Sequence, residues 1–79
     1  MKKLTLATSN TCGPCFALKS RLGKMGLAVE IKSMNDPENI QWFRDHGIKS
    51  LPCLVVETDD TVELVLGSDD IVERIQKDE

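Results

Sequence analysis
Two of the three cysteines, Cys12 and Cys15, are separated only by Gly13 and Pro14, and the stretch Thr11-Cys12-Gly13-Pro14-Cys15 follows a short apolar run at residues 4–7. Thiols at this spacing can close a small disulfide ring, so the chemistry they offer is exchange between a dithiol and a disulfide. A helix opening at Gly13 makes the two unequal. Cys12 then stands where unpaired backbone N–H groups and the positive end of the helix dipole favour a thiolate over a thiol, which marks it as the nucleophile. Cys15 lies one turn further in, on the face of Leu18, Leu22 and Met25, where apolar surroundings keep a thiol protonated and shielded. That makes it the resolving thiol. Pro14 suits a first helical turn, where its missing N–H has no intrahelical partner to lose, and Gly13 leaves the backbone beside Cys12 open to a substrate.

In such an exchange the Cys12 thiolate attacks one sulfur of a partner disulfide, and the other sulfur leaves as a thiolate. Cys15 then attacks the Cys12 sulfur of the mixed disulfide, releases the reduced partner and leaves Cys12 and Cys15 joined. A second reductant must restore the dithiol.

The remaining composition is that of one globular domain over residues 1–79, with 41% hydrophobic and 29% charged residues. A chain of this size buries roughly 60% of its unfolded surface, enough for one core. The net charge of −3 and the absence of clustered Lys and Arg exclude a nucleic-acid surface. The apolar run after Met1-Lys2-Lys3 is broken by Thr8, Ser9 and Asn10, too early for a signal peptide, and no segment is long enough to span a bilayer. The expectation is a soluble cytoplasmic protein. Where thiols are kept reduced, an odd number of cysteines points to reactive or metal-binding roles rather than to a structural framework.

The elements that must hold the cysteines follow from periodicity. Residues 3–7 read as a strand, 13–25 as a helix stopped by Gly26, and 27–33 as a half-buried strand with Leu27, Val29 and Ile31 on one face. Strand, helix and strand in this order imply parallel strands joined by a right-handed crossover. A second helix starts at the Asp36 cap with Pro37 and Glu38 in its first turn, runs to about His46 and turns Ile40 and Phe43 to the core. Residues 49–52 bend into a strand at 53–57, Thr58-Asp59-Asp60-Thr61 reverses the chain, and 62–66 pairs antiparallel. A last helix over 69–77 takes Ser68 as its cap and packs Ile71, Val72 and Ile75 inward. The order is βαβαββα.

Other residues admit competing roles. Cys12, Cys15, Cys53 and His46 add up to four metal ligands, so a zinc or iron–sulfur protein using Cys12, Cys15 and Cys53 is the alternative, although no second close-spaced ligand pair is present. Cys53 after Pro52 reads as a buried strand residue, with a third redox thiol as the sharper option. His46 at a helix end reads as solvent-facing, and Trp42 beside Phe43 as a partly exposed packing residue.

With Cys12-Gly13-Pro14-Cys15 after the first strand and Leu51-Pro52 before the third, the chain resembles the thioredoxin and glutaredoxin family, in particular the short glutaredoxin-like donors of ribonucleotide reductase. The resemblance implies an α/β thioredoxin fold in its minimal form, a four-stranded mixed sheet with three helices. It implies a thiol-disulfide oxidoreductase acting on protein disulfides, with ribonucleotide reductase as a specific substrate. The reductant would be thioredoxin reductase or glutathione; no bound cofactor, metal, nucleic acid or membrane partner is implied, and a monomer is expected. Leu51-Pro52 is similar to a cis-proline element that offers its backbone to an extended substrate, and Gly67, Ser68 and Asp69 are similar to a helix start that receives a glutathione carboxylate. Thr11, Gly13 and Pro14 support the cysteines. The chain departs from glutaredoxins in having Asn10-Thr11 before Cys12, where they usually carry a lysine close by, and from thioredoxins in having Thr11 where they carry tryptophan.

Overall fold
The computed structural model describes residues 2–78. Its elements are β1 (Lys3–Thr8), α1 (Gly13–Lys24), β2 (Glu30–Ser33), a 3-10 turn (Pro37–Asn39), α2 (Ile40–Asp45), β3 (Cys53–Glu57), β4 (Val62–Leu66) and α3 (Ser68–Asp78). The four strands form one sheet in the order β2-β1-β3-β4, parallel between β1 and β2 and antiparallel elsewhere. The expected βαβαββα order and mixed sheet are present.

Two apolar layers sandwich the sheet. On one face Leu6, Leu54 and Val56 pack under α1 and α3 through Leu18, Leu22, Ile71, Val72 and Ile75. On the other, Ala7, Cys53 and Val55 pack under Phe43 of α2, with Trp42, Ile48 and Leu51 at the margin. The central strands β1 and β3 are covered on both faces, which is why they read as nearly continuous apolar runs.

Thr5 is the exception in that interior. It is fully buried opposite Val55, and its hydroxyl has no hydrogen-bond partner among the described residues. A buried hydroxyl without a partner costs about 1–3 kcal/mol, so Thr5→Val, which keeps the shape and removes the hydroxyl, is expected to raise stability by about 1 kcal/mol in urea titrations.

Several local expectations are corrected. The second strand is Glu30–Ser33 only, because pairing with β1 starts at Thr5 and Glu30; Leu27 is instead held by its N–H donating to Leu22 at 3.0 Å, which closes α1 over Gly26 at φ +71°. Ile31 is 46% exposed on the edge strand β2, and Met25 is exposed as the residue that caps α1. Asp36 caps as expected, accepting from the Glu38 N–H at 3.1 Å, but it starts a 3-10 turn rather than one continuous helix. The α-helix that follows has under two turns, and Phe43 alone is fully covered while Ile40 stays exposed. At the last helix the cap is Gly67, whose carbonyl accepts from Ile71 at 2.9 Å, so Ser68 is inside the helix rather than before it.

An ion-pair cluster ties β4 to α3. Arg74 donates to both Glu63 carboxylate oxygens at 2.7 and 2.9 Å and to Asp78 at 2.9 Å, and Lys2 donates to Asp78 at 3.1 Å. Glu63 is held below its ordinary carboxylate range chiefly by the Arg74 hydrogen bonds, and Asp78 chiefly by the one from Lys2. Their contribution is complete above the unfolded-chain range and is lost as pH falls through the lower folded values. Arg74→Gln is therefore expected to flatten the fall in the urea midpoint between about pH 5 and pH 2.

Candidate active site
The end of β1 delivers the chain to the cysteines. After Thr8 the loop turns at once, with the Cys12 N–H donating to the Ser9 carbonyl at 3.3 Å. Cys12 then takes the N-cap position of α1 with φ −96° and ψ 107°, Pro14 occupies the first turn, and no acidic residue stands there to oppose an anion. The Cys15 N–H donates to the Cys12 sulfur at 3.2 Å. A backbone group that would otherwise be orphaned at a helix start is thus aimed at the sulfur on which negative charge would develop. The two sulfurs are joined in a disulfide across a Cα–Cα distance of 5.2 Å. Cys12 is partly exposed and Cys15 wholly buried, the inequality expected of a nucleophile and a resolving thiol. Apart from its chain neighbours and the backbone of its own helix, nothing among the described residues lies within 4 Å of a Cβ placed on Gly13, so no other element crowds the backbone beside Cys12.

The loop before Cys12 is fixed by a residue that sequence reasoning passed over. The Asn35 side-chain oxygen accepts from the Asn10 N–H at 2.7 Å and from the Ser9 hydroxyl at 3.1 Å, while Ser9 also contacts the Thr11 hydroxyl at 3.1 Å. The Met34 N–H donates to Thr8 at 2.8 Å, so the chain leaving β2 grips the chain leaving β1. The signal in the sequence is the polar pair Asn35-Asp36, in which the helix start assigns a role to Asp36 as cap and none to the Asn35 side chain. Asn35→Ala removes both hydrogen bonds and is expected to cost about 1–2 kcal/mol of stability; amide exchange at Asn10 to Cys12, followed by NMR, should accelerate with it.

No family model and no curated protein matches this chain. Solved structures do. Thioredoxin f from spinach chloroplast, in its short form, superposes with a TM-score of 0.73 at 23% identity over 96% of this chain and 74% of its own. A thioredoxin from Thermus thermophilus does so with a TM-score of 0.63 at 18% identity, covering 96% of this chain and 69% of that one. The fold is the thioredoxin fold. A maleylacetoacetate isomerase from Anaeromyxobacter dehalogenans with bound GSH shares it, with a TM-score of 0.64 at 22% identity; the match covers 98% of this chain and 38% of the isomerase.

The thioredoxin-fold sheet brings the other candidate residues to the cysteine end. Ala7 pairs with Cys53 and Cys53 with Leu66, so the Leu51-Pro52 bend and the β4-to-α3 turn both start from the edge of the sheet where β1 finishes. Leu51-Pro52 is cis, with Pro52 buried and Leu51 half-buried. Gly67 has φ +91°, a conformation that favours glycine, and Asp69 is held by Arg21 of α1 at 2.7 Å.

Phe16, the residue after Cys15, is 57% exposed with the Lys19 ammonium 5.1 Å from its ring centre. Phe16 falls off the Cys15, Leu18, Leu22 stripe, so helical periodicity assigns it no role. Its exposed ring gives the helix start an apolar surface beside the disulfide.

The four candidate metal ligands do not converge. Among the described residues no three His, Cys, Asp or Glu side chains form a metal-binding group. Cys53 is buried under α2, and its thiol is pushed up by that burial. His46 is not solvent-facing as expected: its ring tilts against Trp42 with centroids 4.6 Å apart, its Nδ1 is 2.8 Å from the Trp42 carbonyl, and its Nε2 is 3.7 Å from Glu57. Trp42 packs edge-on to Phe43 at 5.2 Å, partly exposed as expected. No helix among the described residues is long and apolar enough to cross a membrane.

Proposed function
We propose that this protein is a thiol-disulfide oxidoreductase that reduces protein disulfides. The observation that carries the reading is the helix-capping Cys12 sulfur, which accepts the Cys15 N–H and is partly exposed while Cys15 is buried. Cys12 thiolate attacks a substrate disulfide and expels one substrate sulfur as a thiolate. Cys15, losing its proton, then attacks Cys12, the second substrate sulfur leaves, and the Cys12–Cys15 disulfide holds the two electrons' worth of oxidation. Substrate backbone would rest on Leu51 and Pro52, and Thr11, Gly13 and Pro14 shape the approach to Cys12.

The substrate is a cytoplasmic protein disulfide, with ribonucleotide reductase as the specific candidate from the family resemblance. The reductant is thioredoxin reductase or glutathione, neither of them a bound cofactor. A reductase is supported by a thioredoxin f2 of the same fold, with a TM-score of 0.73 at 18% identity, whose structure is a complex with ferredoxin:thioredoxin reductase. Glutathione is supported by the same-fold isomerase with bound GSH. For glutathione, Gly67, Ser68 and Asp69 at the start of α3 would receive a carboxylate.

Two parallel assays on the oxidised protein test the proposal, one with thioredoxin reductase and NADPH, the other with glutathione, glutathione reductase and NADPH. Turnover in the first alone assigns a reductase-fed donor, and turnover in the second assigns the α3 start to glutathione. The absence of turnover in both, together with no reduction of insulin disulfides by the dithiol form, overturns the oxidoreductase reading.

A further inference from the structure
β4 is the last strand of the sheet, and among the described residues no strand pairs with its outer edge. The Thr58 N–H donates to the Thr61 carbonyl at 2.9 Å, so hydrogen-bonded pairs alternate from there: Glu63 and Val65 turn their backbone groups to β3, and Val62, Leu64 and Leu66 turn theirs outward. The side chains of these same three residues, opposite Glu57, Val55 and Cys53, form an apolar row 56%, 41% and 52% exposed. Natural edges are usually blunted by proline, a bulge or an outward lysine; residues 62–66 have none of these, and their one charge, Glu63, is tied down by Arg74.

Beside this edge runs a groove of about 370 Å³ whose far wall is α3. Its charges are ordered. Asp70 and Glu73 stand toward the Leu66 end and Lys77 toward the Val62 end, because α3 runs back along β4 with Arg74 level with Glu63. From Arg74 to Asp70 is about 6 Å of helix, and from Glu63 to Val65 about 7 Å of strand, which puts Asp70 level with Val65. Among the described residues Asp70, Glu73 and Lys77 have no ion-pair partner, whereas Glu63 and Arg74 neutralise each other.

We propose that the open edge of β4 docks an extended segment of a partner protein as a fifth, antiparallel strand, apolar at alternate positions, with a basic side chain beside Asp70 and Glu73 and an acidic one beside Lys77. The segment's backbone meets the outward groups of Val62, Leu64 and Leu66, and its apolar side chains extend their row. Its intervening side chains face α3, and an antiparallel strand enters at the Asp70 end, so the basic residue precedes the acidic one. A second copy of β4 fits poorly: paired about Leu64, it would set opposite Val65 its Glu63, already tied to its own Arg74, and so would offer Asp70 and Glu73 no free basic side chain. This inference does not depend on the redox reading.

The test uses the full chain labelled with 15N and two head-to-tail cyclised hairpin peptides, without cysteine, whose outer strands read Val-Lys-Val-Glu-Val and Val-Glu-Val-Lys-Val. The first should shift and protect the amides of Val62, Leu64 and Leu66 and bind at least ten-fold more tightly than the second. The double substitution Asp70→Lys, Glu73→Lys, at exposed positions, should remove or invert that preference. Absence of β4 shifts with millimolar peptide, or equal binding of the two peptides to the unsubstituted chain, overturns the proposal. So does β4 broadening that grows with protein concentration and no peptide, which would make a second copy the occupant.

Discussion

Replacing Cys12 by serine should stop disulfide reduction, leaving only the rate of the uncatalysed exchange, whereas Cys15→Ser should stop turnover but not the first attack. The difference follows from the site. Cys12 carries the sulfur that accepts the Cys15 N–H at the helix start and reaches solvent, and serine at that position is a far weaker nucleophile at neutral pH. Cys15 is buried one turn inside, so with serine there a mixed disulfide on Cys12 has no internal thiol to resolve it. Mass spectrometry after incubation with a disulfide-containing protein should find the adduct on the Cys15→Ser chain and none on Cys12→Ser. An adduct accumulating on Cys15 in the Cys12→Ser chain would reverse the assigned roles. The helix start is the second part of this expectation: Pro14 and the unpaired N–H groups of the first turn remain in both variants, so reactivity differences report the thiols themselves.

Leu54→Ala is expected to lower the free energy of unfolding by about 3 kcal/mol, the scale on which fully buried leucines respond to truncation. A domain of 79 residues has roughly 4–12 kcal/mol in all, so this one change removes a large share of it. Leu54 lies in the central strand β3, fully buried in the cluster that α1 and α3 close over the sheet, so truncating it opens a cavity in that layer. Leu64, one strand away, is the internal control. Its side chain is exposed on the sheet edge, and Leu64→Ala should cost within about 0.5 kcal/mol. Urea unfolding of the two variants side by side checks both values; equal losses would mean that the β4 edge is covered in solution.

The sequence showed most of this fold because its signals are local. Cys12-Gly13-Pro14-Cys15 at a strand-to-helix junction carries its chemistry in four adjacent residues, and Asp36, Gly26 and Gly67 mark boundaries through conformations fixed within a few bonds of themselves. Even where a boundary slipped, as between Ser68 and Gly67 at the start of α3, the helix and its buried Ile71, Val72 and Ile75 were legible from spacing. The misread residues share a different property: their burial depends on which element lies opposite. Ile31 alternates like a core residue but sits on an edge strand, Met25 continues an apolar stripe past the end of its helix, and His46 is drawn in by Trp42 and Glu57.

By itself the sequence determined the βαβαββα order, the unequal environments of Cys12 and Cys15, and the apolar faces that would have to meet. It could do so because helix dipoles, caps and periodicity act over a turn or less. Only the tertiary structure decided that Asn35, some two dozen residues from Asn10, would hold the loop before the cysteines, and that Phe16 would stand exposed beside them. It also decided that Cys53 and His46 would be kept from the cysteine pair, and that β4 would close one side of the sheet while leaving its other side open. Each of these depends on strand order, which no window of sequence contains, because it is set by how the apolar faces of distant elements close over one another.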